Sequence, residues 1–287
     1  MKGYLILLFV SLICTGIMAQ ENVNVFKFTM ENMEITALSE GQQKSGKSIL
    51  IGATEEMINQ YAQDGTFLSA CNAFLVKTPE KTILIDAGFG RNLFNNLKQQ
   101  NVEPKQVDII LLTHMHGDHI GGLLHDEQIT FPNAQLYIAQ AEHDYWMNLD
   151  SRGSEQARNI IQAYKNKLHL FVPSDLENTK SELMSGIYAI AAYGHTPGHT
   201  AYLLQSENSQ FLIWGDLAHA MAIQMPHPEI AVTYDVNPEQ AVDTRKKILE
   251  YAAKNKIPAG GMHIAFPAMG NIKHGKAAGY EFEPLKP

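Results

Sequence analysis

THMHGDHIGG, residues Thr113 to Gly122, places three histidines and an aspartate within the six positions from His114 to His119. Imidazole nitrogens and carboxylate oxygens are donors that suit zinc and its first-row neighbours. The spacing does not let all four side chains reach one ion without strain. His114 and His116 can point the same way from an extended segment, where side chains repeat every two residues. Asp118 and His119 follow the Gly117 turn and can face a second position, while Gly121 and Gly122 let the loop pack tightly under the site. The stretch therefore predicts two metal positions.

Working outward, VDIILLTH is a buried strand that delivers this motif, and KTILIDAGFG before it is a short strand running into a turn at Asp86. RNLFNNLKQQN between them reads as a helix. AEHDYWMNL and EQARNIIQAYKNKL read as helices on either side of a polar loop at Ser151 to Ser154, and strands resume with IYAIAAYGHTPGHTAYLLQ and QFLIWGD. Asn237, Pro238 and Glu239 form a cap, a first-turn proline and an acidic start. The helix that follows runs to about Asn255, with Ala241, Val242, Arg245, Ile248, Leu249 and Ala252 on one face. Strands and helices alternate without a linker, which predicts one α/β domain over residues 20–287.

More donors stand where strands give way to loops, the usual place for catalytic groups in layered α/β proteins. YGHTPGHT supplies His195 and His199, IWGDLAH supplies Asp216, and GMHIAFP supplies His263. The ordered set HMHGDH, GHTPGHT, WGDLAH and MHIAFP resembles the metallo-β-lactamase superfamily over roughly residues 34 to 282. Within it, the chain is most similar to the exported methyl parathion hydrolases and the related N-acyl-homoserine lactonases. The tail HIAFPAMGNIKHGKAAGYEFEP resembles that branch too.

The resemblance implies an αββα sandwich with two divalent metal ions at one edge between the sheets, zinc first, with manganese, cobalt and iron as the other candidates. Carried over by motif, His114, His116 and His199 hold one ion, Asp118, His119 and His263 hold the other, and Asp216 bridges them. His195 is expected beside the ligands, as is Asp86 in a turn like the family's Asp-x-Gly. His219 stands where the lactonases often carry a substrate-contacting tyrosine and the parathion hydrolases carry histidine, so it is a candidate for that contact. His125, His143, His169, His227 and His274 fall outside every motif and are expected at the surface or in packing.

A metal pair of this kind lowers the pKa of a shared water to around 7 and polarises the substrate oxygen. Asp118 or Asp216 would pass a proton to the leaving group. The expected reaction is opening of a lactone or ester. Phosphotriester hydrolysis is the close alternative, and a β-lactamase or a non-catalytic metal binder lie further off. Asp216 counts against a β-lactamase, whose branches lack the bridging aspartate. Phe89, Tyr145, Trp146 and Phe266 lie near the motifs and are candidates to line an apolar pocket for a small substrate. The related enzymes are commonly dimers, which makes a homodimer the expectation.

Residues 1–19 differ from the rest: Lys2, then YLILLFVSLICTGIMA, a run of signal-peptide length. Cleavage after Ala19, or after Gly16, predicts a secreted or periplasmic protein with no membrane segment in its mature form. Cys14 would leave with the leader, so Cys71, in the strand-like FLSACNAFLV, has no partner for a disulfide and is expected as a buried, inert thiol. Loss of Lys2 leaves 21 basic against 30 acidic residues, a charge of −9, with no basic block. That disfavours nucleic acid as a partner. Gly41 to Ser48, GQQKSGKS, fits the phosphate-loop pattern. The ILIGATEEM after it opens with β-branched and aliphatic residues and then a glycine, a poor helix start, so the stretch is expected to be a polar loop.

Overall fold

Alternating side chains on hydrophobic strands feed two different cores, and that alternation builds the layers. The computed structural model describes residues 24–178, 182–276 and 278–286; the leader expected at residues 1–19 lies outside them. The first sheet holds seven strands in spatial order: β1 (Val25–Met30), β2 (Met33–Gly46), β3 (Thr66–Lys77), β4 (Thr82–Ile85), β5 (Ile109–Leu111), β6 (Gln135–Ala139) and β7 (Leu168–Phe171). The pairs from β1 to β4 are antiparallel, and those from β4 to β7 are parallel. The second sheet also has seven: β8 (Glu182–Met184), β9 (Ile187–Ala191), β10 (Thr200–Ser206), β11 (Ser209–Ile213), β12 (Ala259–Gly260), β13 (Met269–His274) and β14 (Tyr280–Pro284). Only β11 and β12 pair in parallel there.

Ile35, Phe74, Val76, Ile83, Ile85, Ile109 and Leu111 of the first sheet meet Ala189, Tyr202, Leu204, Phe211 and Ile213 of the second in a core between the sheets. The residues in between point the other way. Of the helices α1 (Glu55–Tyr61), α2 (Leu93–Gln99), α3 (Gly117–Ile120), α4 (Gln140–Asn148), α5 (Arg152–Tyr164), α6 (Met221–Gln224) and α7 (Pro238–Asn255), α2, α4 and α5 cover Leu75, Leu84 and Ile110, and their Leu97, Trp146 and Ile160 complete that core. Ile190, Leu203 and Leu212 face α7 (Pro238–Asn255) and its Ile248, Leu249 and Ala252. The result is the expected αββα sandwich. Strands buried on both faces read as continuous apolar runs in sequence, as VDIILLTH does.

Expected elements shift mainly at their ends. The strand before the metal motif is only Ile109–Leu111, because Thr113 to His116 leave the ladder to form the site. The polar loop expected at Ser151 to Ser154 is shortened to the connection Leu149–Ser151, because Ser151 caps α5, its hydroxyl accepting from Ser154 N at 3.2 Å. Asn237 caps α7 through Gln240 N, as expected. The GQQKSGKS stretch is neither phosphate loop nor polar loop: through Gly46 it continues β2, paired with Thr66 to Cys71. Among the described residues no helix is long and apolar enough to cross a membrane.

Candidate metal centre

Each donor motif follows the carboxyl end of a strand, so the sandwich gathers them at one edge, as open α/β sheets gather ligand-binding groups. His114 and His116 lie on the loop after β5. Asp118 and His119 lie on the short helix α3 (Gly117–Ile120). His195 and His199 lie between β9 and β10, Asp216 and His219 after β11, and His263 after β12. A Cβ on Gly122 would collide with the Ala87 carbonyl, so glycine is needed for the tight floor expected from the sequence.

Three overlapping groups of donor atoms form, each within 4.8 Å: His114, His116, His195 and Asp216; Asp118, His119 and His263; and Asp216, His219 and His263. Asp216 joins the first group to the third, and His263 joins the second to the third. Asp216 Oδ2 lies 3.6 Å from His114 Nε2, 3.3 Å from His195 Nε2, 3.1 Å from His219 Nε2 and 2.9 Å from His263 Nε2. Its Oδ1 lies 3.2 Å from His119 Nε2. Asp118 Oδ2 stands 3.7 Å from His119 Nε2 and 3.5 Å from His263 Nε2.

One ligand expectation is reversed. His199 is expected at the first metal and His195 beside it, but it is His195 whose nitrogen joins the donor group of His114, His116 and Asp216. His199 Nδ1 donates to the Ala192 carbonyl at 2.7 Å, so its Nε2 carries the lone pair, and that lone pair accepts from Asp216 N at 2.9 Å. No ring nitrogen is left for an ion. His195 instead lies with Nε2 3.0 Å from His116 Nδ1, while its Nδ1 is held by Asp235 Oδ1 at 2.9 Å. His199 positions the backbone of Asp216.

Anchoring one ring nitrogen to orient the other is the usual support for metal-binding histidines. Asp235 does it for His195. Asp86 does it for His119, with Oδ2 at 2.7 Å from Nδ1, while Asp86 also accepts from Thr113 N and Oγ1. The Ala70 carbonyl does it for His263 at 2.7 Å. Asp86 thus sits where the sequence placed it, whereas Asp235 carried no motif. Behind Asp235, the buried Arg245 donates to the carbonyls of Leu217, Pro228 and Ile230. Burial followed by the pull of Asp235 leaves its pKa at about 10. Arg245→Leu would strand those carbonyls and take away the guanidinium beside Asp235, and should destabilise the protein by about 3–5 kcal/mol. Urea unfolding checks this, and a change below about 1 kcal/mol would show that the arginine is dispensable there.

The charges fit a cation. His116 Nδ1 lies 2.9 Å from His114 Nε2 and 3.0 Å from His195 Nε2, three ring nitrogens converging on one spot. Burial, then the neighbouring imidazoles, pushes His116 down to about 3 and His114 well below the usual range. Burial alone would raise Asp216, yet His119, His263, His114 and His219 hold it well below the carboxylate range. Burial would lower His119, but Asp216, Asp118 and Asp86 keep it well above the usual value. His119 Nε2 and Asp216 Oδ1 are buried without a hydrogen-bond partner, as ligand atoms facing an ion would be.

The cluster floors a cavity of about 490 Å³, in the size range of ligand sites. Of the four expected aromatics only Phe89 lines it, with Arg91 stacked 4.4 Å over its ring. Trp146 is buried edge-on to His116, and Phe266 packs edge-on to Phe26. The other walls are Ile49, Cys71 and Tyr234, with Gln42, Gln43, Ser45 and Ser69 from β2 and β3. The pocket is therefore amphipathic rather than the apolar slot expected. The Cys71 thiol points at the Asp118 carbonyl and burial raises its pKa to about 12, but the residue is half-buried at the cavity wall rather than enclosed as expected. His125, His143, His169, His227 and His274 belong to none of the donor groups.

A layered sandwich with clustered histidines and aspartates at its sheet edge is the architecture of a metallohydrolase. A profile of the metallo-beta-lactamase superfamily matches residues 67–256, and the chain belongs to that superfamily. The uncharacterized protein YobT of Bacillus subtilis (strain 168) is 30% identical over 204 residues, 69% of this chain and 85% of YobT. An N-acyl homoserine lactonase of a Bacillus species is 24% identical over 162 residues, 47% of this chain and 58% of that enzyme. Among solved structures, AidC, a dizinc quorum-quenching lactonase, superposes with a TM-score of 0.83 at 28% identity, covering 92% of this chain and 98% of its own. The hydrolase AbOPH of the beta lactamase superfamily gives 0.82 at 28% identity, with the same coverage.

Proposed function

We propose that this protein is an exported hydrolase, dependent on two divalent metal ions, that opens lactones of the N-acyl-homoserine type. The reading is carried by one observation: donors from four inter-strand connections meet at the floor of a single ligand-sized cavity. The likeness to AidC supports the lactone, and the apolar leader at residues 1–19 supports export. His114, His116 and His195 would hold one ion, Asp118, His119 and His263 the other, with Asp216 between them. When bound, such ions supply an acidified water and an electrophilic pull on the substrate oxygen.

The chain's own groups account for the rest. Asp118, whose side chain is 24% exposed at the cavity wall, is the carboxylate placed to carry a proton to the departing alkoxide; Asp216, at 2%, is enclosed. His219 lines the same cavity and is placed to contact the substrate. Phe89, Ile49 and Tyr234 give an acyl chain an apolar wall, and Gln42, Gln43 and Ser69 offer partners to its amide. The same centre suits a phosphotriester, which the histidine at position 219 favours over the tyrosine often seen in lactonases.

The test is kcat/KM of the zinc-loaded mature chain on an N-acyl-homoserine lactone, methyl parathion and a cephalosporin side by side. The lactone is expected at least about tenfold ahead. Stripping the metal should abolish turnover and zinc should restore it. Methyl parathion on top would move the protein to phosphotriester hydrolysis, and turnover that survives chelation would sink the metal-dependent reading.

A further inference from the structure

Glu142 lies on α4 outside every motif, yet its carboxylate is fully enclosed and accepts four hydrogen bonds. Oε1 accepts from Met115 N at 2.9 Å and from the Trp146 indole at 2.6 Å. Oε2 accepts from the Thr196 hydroxyl at 2.6 Å and from Gly198 N at 3.1 Å. Met115 separates His114 from His116, and Thr196 and Gly198 lie between His195 and His199. One carboxylate therefore ties the loop after β5 to the loop between β9 and β10. Trp146, one turn further along α4, sets its ring edge-on to His116 at 5.6 Å.

Gly198 supplies a second observation. A Cβ at that position would collide with the backbone of Glu142, so the second loop is pressed onto α4 at the residue whose N–H the carboxylate holds. All four partners are neutral donors. Burying a carboxylate without a cation is costly, and packing alone has cheaper solutions. What the arrangement provides is direction, with both loops referred to one point on a rigid helix.

We infer that Glu142 is the positioning residue of the first metal position, holding the loops of His114, His116 and His195 in register so that their ring nitrogens converge. The inference rests on the metal-dependent reading above. It concerns how the three ligands are held, and hence the affinity of one position relative to the other.

The experiment is zinc titration of the metal-stripped full chain, with hydrogen exchange at the Met115 and Gly198 amides, for wild type, Glu142→Gln and Ile187→Val. Glu142→Gln keeps the shape but turns an NH2 toward N–H donors. It should weaken one of the two zinc equivalents by about 10–100-fold, the usual effect of losing a supporting group, and leave the other within about threefold. Both amides should exchange faster. Ile187, buried at the start of β9, controls for lost stability and should move neither affinity. Should Glu142→Gln not fold, Trp146→Phe removes one of the four bonds and should weaken the same equivalent by a smaller factor. Two equivalents unchanged in the Glu142 or Trp146 variant, or both weakened alike, would overturn the positioning role. A wild-type chain that binds no zinc would overturn the metal reading and this inference with it.

Discussion

Asp216→Asn should cost the protein at least one of two bound metal equivalents and lower hydrolysis by about two to four orders of magnitude. The carboxylate lies within 3.6 Å of ring nitrogens from five histidines, His114, His119, His195, His219 and His263. Removing one member of a buried charge cluster costs about 3–5 kcal/mol, and each 1.36 kcal/mol is tenfold. The amide would also aim an N–H at nitrogens whose lone pairs converge there. Asp118→Asn is the informative comparison. Asp118 is partly exposed and approaches only His119 and His263, so its loss should leave more metal bound while still slowing turnover if it carries the leaving-group proton. Metal content by mass and kcat/KM on one substrate check both variants. Full retention of two ions in Asp216→Asn would mean that the carboxylate is not shared between them.

Much of this architecture was legible because strands buried on both faces write themselves as unbroken apolar runs. In TILI and IIL each successive residue feeds the opposite core, so Ile83 and Ile85 point between the sheets while Leu84 points to the helices. The Asn-Pro-Glu start of α7 was equally plain, because its cap is local chemistry. The helix also carries a clue on its apolar stripe, Arg245. An arginine there must have buried acceptors, and it proves to brace the loop that holds Asp235. Glu142 had no such signal. On a helix surface a glutamate is the commonest of residues, and its partners lie 27 and 54 positions away. The GQQKSGKS stretch misled in the opposite direction, since its polar residues belong to a strand that walls the cavity rather than to a loop.

The two histidines of GHTPGHT separate motif from geometry, and their variants should differ in kind. His195→Ala removes a nitrogen that points at His116 and Asp216 and takes one hydrogen-bond partner from Asp235. It should lose one metal equivalent and cut kcat/KM by about two orders of magnitude or more, by the same buried-charge reasoning as for Asp216. His199→Ala takes no nitrogen from the ion side. It strands the Asp216 N–H and the Ala192 carbonyl in the interior, which should cost about 1–3 kcal/mol of folding stability. Because it slackens the backbone under Asp216, metal affinity should fall too, by about 10–100-fold, with both equivalents still bound at saturating zinc. Thermal unfolding of the metal-free chains and zinc stoichiometry distinguish the cases. If His199→Ala were the variant that permanently lost an ion while His195→Ala kept both, the hydrogen bond from Asp216 N to His199 Nε2 would have to break in the loaded protein and the assignment would revert to the motif. The geometry argues against that exchange: freeing His199 Nε2 would surrender the hydrogen bond that fixes Asp216, on which both positions depend.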